Sequence, residues 1–253
     1  MIRKIHLIGP GEVGRRLAGA LRASGVAVAE VTRSTGWESA SDPADSAPRL
    51  VAVREEDLGT VLDRLGRVPR ERLILVQNGF LEVVHGDLGP VTRGLIWFTS
   101  KGEFFASLRP SLFHGPLAEE LVGPLAAGGL AVECVAGREA FRREMILKGI
   151  WNAVVGLPLA VHGVTLGEYL QRYEDELAAL LEESAAAASA EYGVTVGAGD
   201  ARACLARTTG PIQWVRGGVK AIPWRNGAIV EMGRRHGVPT PVNERLIRAA
   251  EAS

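Results

Sequence analysis

The sequence predicts an α/β protein in two parts, a doubly wound parallel sheet followed by an all-α region. Three observations carry that reading. Up to about residue 137, short apolar runs alternate with helical stretches, the pattern of βαβ units. From residue 138 onward nearly every segment has a helical period. Residues 5–14, Ile-His-Leu-Ile-Gly-Pro-Gly-Glu-Val-Gly, run an apolar strand straight into a G-x-G-x-x-G turn, and a helical pattern follows at once. We therefore expect residues 1–137 to form a nucleotide-binding domain and residues 138–253 a helical one.

Residues 5–8 read as the first strand. Gly9 permits the tight turn out of it, Gly11 lets a pyrophosphate approach the backbone, and Gly14 lets the helix pack closely on the sheet. The helix opening at Glu12 and Val13 presents N–H groups and a positive dipole end to phosphates. Glycine makes up 31 of 253 residues, so a chance triplet is a rival reading. The strand before the motif and the helix after it favour a dinucleotide site of the Rossmann type. Residues 26–31 are the second strand. Residues 34–48, rich in Ser, Asp, Ala and Pro, read as a loop or an eroded crossover. Residues 50–53 and 73–76 are further buried parallel strands, and residues 95–99, 112–114 and 131–135 are added ones. In the second part, residues 138–155 form one helix that Gly156-Leu157-Pro158 kinks or ends. Residues 173–192 form a helix closed at Gly193. A helix over residues 226–235 is capped near Gly237, and Pro239-Thr240-Pro241 separates it from a last helix at residues 242–252.

Composition narrows the function. The chain has 29 basic and 29 acidic residues, so its zero formal net charge argues against a broad nucleic-acid footprint. Arg142-Arg143 and Arg234-Arg235 read as solvated helix faces. Cys134 and Cys204 are far apart and fit no metal or redox spacing, so no metal site is expected. Arg3-Lys4 lead directly into a strand, so no signal peptide is expected. No apolar run is expected to span a bilayer. These exclusions point to a cytoplasmic protein with a small-molecule ligand and no membrane partner. They are compatible with a homodimer without requiring one.

The second strand ends Val31-Thr32-Arg33. An NAD-type site usually places an acid there for the ribose hydroxyls. A guanidinium suits a 2′-phosphate instead, through paired charge-assisted bonds, so NADP is the expected cofactor. Glu30 is a poor ribose partner, being too far from the strand end. Asn78 follows an apolar strand and precedes Gly79, which fits either a ligand-facing sheet edge or a simple turn. Lys148 and Asn152 are four apart and share one helix face. Met145, Ile146, Leu147, Ile150 and Trp151 surround Lys148 in sequence, a setting that desolvates an ammonium. Reduction of a ketone needs a proton on oxygen, which a lysine can supply. The rival reading is a snorkelling lysine at a helix edge.

Taken in order, Val76-Gln77-Asn78-Gly79, Lys148 with Asn152, and Asn226-Gly227 followed by His236-Gly237-Val238-Pro239-Thr240-Pro241 resemble the ketopantoate reductase (2-dehydropantoate 2-reductase) family. Its members are NADP-dependent oxidoreductases that reduce a 2-oxo acid to a 2-hydroxy acid in pantothenate biosynthesis, with a Rossmann domain and a helical C-terminal domain. The resemblance implies that Arg33 meets the 2′-phosphate and that Arg54 faces the cofactor, although Arg54 also reads as a surface charge within Arg54-Glu55-Glu56-Asp57. It implies that Asn78 lies near the nicotinamide and substrate. It makes Lys148 the general acid, with Asn152 beside it as a catalytic and substrate-binding residue. The substrate-binding serine of the family corresponds to Thr209, which keeps a hydroxyl. Two departures stand out. Ala221 falls where the family has a glutamate, and Gly156-Leu157 replaces Asn-Pro, so the substrate clamp is altered. A non-catalytic NADP-binding sensor or scaffold is the competing function. His162 and His236 read as structural residues without partners.

Overall fold

The computed structural model describes residues 2–252. The chain divides into two compact units, Met1–Gln77 with Asp87–Gly137, and Asn78–Gly86 with Arg138–Ser253. The chain order is β1 (Lys4–Ile8), α1 (Glu12–Ala23), β2 (Ala27–Val31), α2 (Trp37–Ser41), β3 (Arg49–Val51), α3 (Leu58–Arg64), β4 (Leu73–Leu75), α4 (Leu81–His85), β5 (Thr92–Leu95), β6 (Phe98–Lys101), β7 (Phe104–Ser107), β8 (Ser111–His114), α5 (Ala118–Ala127) and β9 (Val132–Cys134). All of these except α4 belong to the first unit.

The first unit is built on a seven-stranded sheet in the order β2-β1-β3-β4-β5-β8-β9. Every neighbouring pair is parallel except β5 with β8. The buried strand residues Ile5, Leu7, Leu50 and Ile74 pack against Leu17 and Leu21 of α1 and Leu121 and Leu125 of α5. An amphipathic helix over a sheet explains why the first strands read as unbroken apolar runs. Because β1 is flanked by β2 on one side and β3 on the other, the strand order reverses there. That switch point is where ligands enter open α/β sheets.

Two expectations for this unit need correction. The run at residues 95–99 is not one strand: β5 ends at Leu95 and β6 begins at Phe98. Between them the Trp97 N–H goes to the Ser111 hydroxyl (2.9 Å), which takes it out of the strand ladder. The stretch over residues 34–48 contains the short helix α2 and is organised from outside by one side chain. Arg49 is fully buried and donates to the carbonyls of Ala40 (2.7 Å), Asp42 (2.6 Å), Asp45 (2.6 Å), Ala47 and Ser39 (3.4 Å). A polar, proline-containing segment thus satisfies its backbone through a guanidinium rather than through a regular crossover.

The second unit is helical: α6 (Arg138–Val154), α7 (Leu157–His162), α8 (Leu166–Arg172), α9 (Glu174–Tyr192), α10 (Ala198–Thr208), α11 (Asn226–His236) and α12 (Pro241–Glu251), joined by α4. Helix α6 stops before Gly156, as the Gly-Leu-Pro sequence predicts. The expectation that no apolar stretch reaches membrane-spanning length is corrected. The helical stretch Arg138–His162 is long and apolar enough, and 72% of its apolar window is buried inside the protein. It serves as a central packing helix here. Glu183 on α9 accepts from the N–H groups of Val242 (3.0 Å) and Asn243 (2.6 Å) and so caps α12. The Asn243 side chain in turn accepts from Asn226 Nδ2 (2.9 Å), which fixes the start of α11.

Candidate functional site

In the first unit the loops after β1, β2 and β3 enclose a cavity of about 530 Å³, lined among others by Gly9, Gly11, Arg33, Trp37, Arg54 and Arg64. Gly9 has φ +89°, and a β-carbon on it would lie 2.9 Å from the Val53 nitrogen. Only a glycine makes this turn without strain. Around Gly11 nothing lies within 4 Å of a β-carbon position, so the backbone there is open to a ligand. At Gly14 a side chain would strike the Gly9 carbonyl, Leu7 and Ala52. The three glycines therefore have the geometry that a pyrophosphate turn requires. Glu12 and Val13 open α1 directly behind Gly11, where helix geometry leaves the first N–H groups without intrahelical partners. The residues present fit a dinucleotide.

Arg33 and Arg54 both reach this cavity, with side chains 88% and 69% exposed, and both lean on Asp57: Arg54 Nε lies 3.2 Å and Arg33 Nη2 3.9 Å from the same carboxylate oxygen. Glu30 is turned to Arg22 at 2.7 Å, away from this role. Three lining residues escaped the sequence reading: Asp57, Trp37 and Arg64. Trp37 donates its ring N–H to the Thr32 carbonyl (2.7 Å), and the Arg64 guanidinium lies 4.8 Å over its ring. Their convergence comes from α2 and α3 meeting at the strand ends, which no local spacing announces.

The second unit gathers the other candidates. The chain enters it at Asn78, at the carboxyl end of β4, so Asn78 groups with the helices rather than with the sheet. On α6, Lys148 and Asn152 are both buried, at 5% and 4% exposure. The Lys148 ammonium lies 4.0 Å from the centroid of the Trp151 ring, whose π-face compensates part of its lost hydration. Asn152 Nδ2 donates to Asn78 Oδ1 at 3.4 Å, which brings the two predicted amides together. Gly79 (φ +85°) leaves no room for a side chain, because the Trp224 carbonyl occupies that space. The next residue, Phe80, donates its N–H to the same carbonyl (2.8 Å). Trp224 is held further by its ring N–H, which donates to His85 Nε2 (3.1 Å), and burial lowers the His85 pKa, favouring the neutral ring that can accept this bond.

Thr209 ends α10 with its hydroxyl buried and donating to the Leu205 carbonyl (2.8 Å), which leaves the oxygen's acceptor side for other partners. Ala221 sits in the left-handed region (φ 52°) at the turn before Ile222. The two histidines expected to stand alone have partners: His162 meets Glu176 (2.9 Å) and His236 meets Glu191 (2.8 Å), which gives both structural roles. The arginine pairs are tied as well, Arg143 to Asp200 (2.8 Å) and Arg235 to Glu191 (3.1 Å). Among the described residues no group of three or more His, Cys, Asp or Glu is placed to hold a metal ion.

A dinucleotide turn at a sheet switch point, followed by a helical unit with a buried lysine, defines the architecture of a nicotinamide-dependent reductase fold. Comparison with solved structures is specific about which one. The chain is similar to the dimeric ketopantoate reductase of Staphylococcus aureus (18% identity, 98% of each chain, TM-score 0.77). It is similar to a ketopantoate reductase of Ralstonia eutropha (20% identity, 96% and 95% covered, TM-score 0.77). It is also similar to D-mandelate dehydrogenase solved with NADH and anilino(oxo)acetate (15% identity, 98% and 97% covered, TM-score 0.77). The protein has the ketopantoate reductase fold along its whole length. No family model and no curated sequence matches the chain.

Proposed function

We propose that the protein is an NADPH-dependent oxidoreductase that reduces a 2-oxo acid, or a related ketone, to the 2-hydroxy product. The observation that carries this reading is the buried Lys148 ammonium on one helix face with Asn152, whose amide is bonded to Asn78. When bound, the reduced nicotinamide supplies the hydride to the carbonyl carbon. Lys148 polarises the carbonyl oxygen and delivers its proton there as negative charge develops. Away from water, a fixed cation opposite that oxygen is worth more than it would be in solvent. Asn152 and Asn78 orient the carbonyl, and Thr209 offers its hydroxyl oxygen to the substrate. The fold neighbours support the reading in kind, because they include ketopantoate reductases and a D-mandelate dehydrogenase.

In the first unit, Gly9, Gly11 and Gly14 with the opening turn of α1 hold the pyrophosphate. Arg33 and Arg54 take the 2′-phosphate, exchanging Asp57 for a group of higher charge. Asp57 supports a second reading, since a carboxylate in the cavity is the group that accepts the ribose hydroxyls of NADH. Titration calorimetry with both cofactors separates the two. NADPH should bind at least about tenfold more tightly, because a charge-assisted phosphate contact contributes on the order of 1.5–3 kcal/mol. Arg33→Ala should narrow the gap by weakening NADPH alone. Equal binding, or a preference for NADH, transfers the role to Asp57.

A further inference from the structure

Arg225 is a charged side chain of the second unit that the proposed chemistry leaves unused. It is 9% exposed and has non-helical backbone angles (φ −119°, ψ −108°) just before α11. Its neighbours fix it from both sides. On one side Asn226 Nδ2 donates to the Ala153 carbonyl in the last turn of α6 (3.5 Å) and to Asn243 Oδ1 (2.9 Å). On the other, Trp224 accepts from the Phe80 N–H (2.8 Å) and donates to His85 (3.1 Å). Arg225 is thereby pinned at the carboxyl end of α6. There Gly156 has no side chain. A β-carbon on it would stand 3.5 Å from Arg225 Nη1 and 3.1 Å from the Asn152 carbonyl oxygen. The guanidinium occupies the space a side chain at position 156 would need. Position 156 is also the next step, by fours, after Lys148 and Asn152.

A guanidinium removed from water is costly unless an anion or several acceptors meet it. Its planar fork matches a carboxylate through two parallel bonds. A 2-oxo acid carries a carboxylate one bond from the carbonyl that is reduced. We propose that Arg225 binds the substrate's carboxylate, in the space left open by Gly156, and thereby restricts the site to 2-oxo acids over uncharged ketones. This rests on the reading of the second unit as the site of carbonyl reduction.

The test compares kcat and KM, with NADPH, for a panel of 2-oxo acids and their matched uncharged amides. It uses the wild type, Arg225→Leu, Arg225→Lys and Gly156→Asn. The wild type should favour the acid by about 10²-fold or more in kcat/KM. Arg225→Leu should remove most of that preference through KM for the acid while leaving the amide's constants within a few-fold. Arg225→Lys should retain part of it, and Gly156→Asn, which fills the space without removing the charge, should reduce it. A packing role alone would lower Tm and affect acid and amide alike. A preference unchanged in Arg225→Leu overturns the inference and leaves the reductase reading standing, and so does a wild type that reduces acid and amide equally well. If Arg225→Leu does not fold, an unchanged preference in both Arg225→Lys and Gly156→Asn overturns it. A wild type that binds NADPH and reduces no pair overturns the reductase reading, and the inference with it.

Discussion

Ala221 is the non-glycine residue with positive φ among the described residues (52°), and it stands where the family has a glutamate. The left-handed region costs an L-residue about 1–2 kcal/mol, partly offset by the greater backbone entropy glycine loses on folding. Ala221→Gly should therefore raise stability by on the order of 0.5–1 kcal/mol, read as a higher denaturant midpoint with an unchanged slope. A lower midpoint would show that the turn is held by the Ala221 methyl, which is buried. At this scale the sequence was informative where chemistry follows directly on a strand or repeats along a helix. Arg33 and Arg54 reach the cavity from the strand ends, and Lys148 and Asn152 share a face. It was silent on Asp57, Trp37, Arg64 and Arg225, because each gains its meaning from a neighbour distant in the chain. The Asn78-Gly79 pair shows the difference. Locally it is only a turn, and the reason for glycine, the Trp224 carbonyl, lies far along the chain.

At the scale of elements, the 34–48 segment shows how a polar stretch becomes ordered. Its carbonyls converge on Arg49, and removing the guanidinium would leave several buried acceptors unpaired. Arg49→Met should cost at least about 2–4 kcal/mol. It should also weaken NADPH several-fold, since Trp37 rides on the same segment; intact stability by denaturant melt would contradict this account. Asp45 ties the segment to β1. The Lys4 ammonium (2.9 Å), the Ala47 N–H (2.8 Å) and the His6 ring (2.9 Å) hold its carboxyl well below the usual carboxylate range. A depressed carboxyl contributes stability that is present above its unfolded value, about pH 4, and is lost as pH falls below it. Urea midpoints should be flat from about pH 7 to 5 and fall below about pH 4. Asp45→Asn should start lower and fall less steeply; parallel curves would assign the acid loss to other groups. The elements that the pattern missed, α2 and the β6–β7 hairpin, are short and owe their form to single side chains, Arg49 and Ser111. Those it captured, β1 through β4, α6, α9 and α11, have enough periodic apolar residues to announce a buried face.

For the whole molecule, two units with separate tasks fit one reaction: a dinucleotide turn and arginine-lined cavity in the first, and an aligned lysine and amides in the second. The fold is shared with ketopantoate reductases at 18–20% identity, so architecture has persisted while most side chains have changed. The central claim is that Lys148 makes this architecture a catalyst rather than a cofactor-binding scaffold. Its most direct test is the rate of NADPH oxidation with a panel of 2-oxo acids, measured for the wild type and Lys148→Ala alongside the NADPH affinity of each. The account predicts turnover by the wild type with at least one acid, a loss of about 10²–10⁴-fold in Lys148→Ala, and nearly equal affinity for NADPH. Tight NADPH binding with no turnover by the wild type, or undiminished turnover by Lys148→Ala, would contradict it.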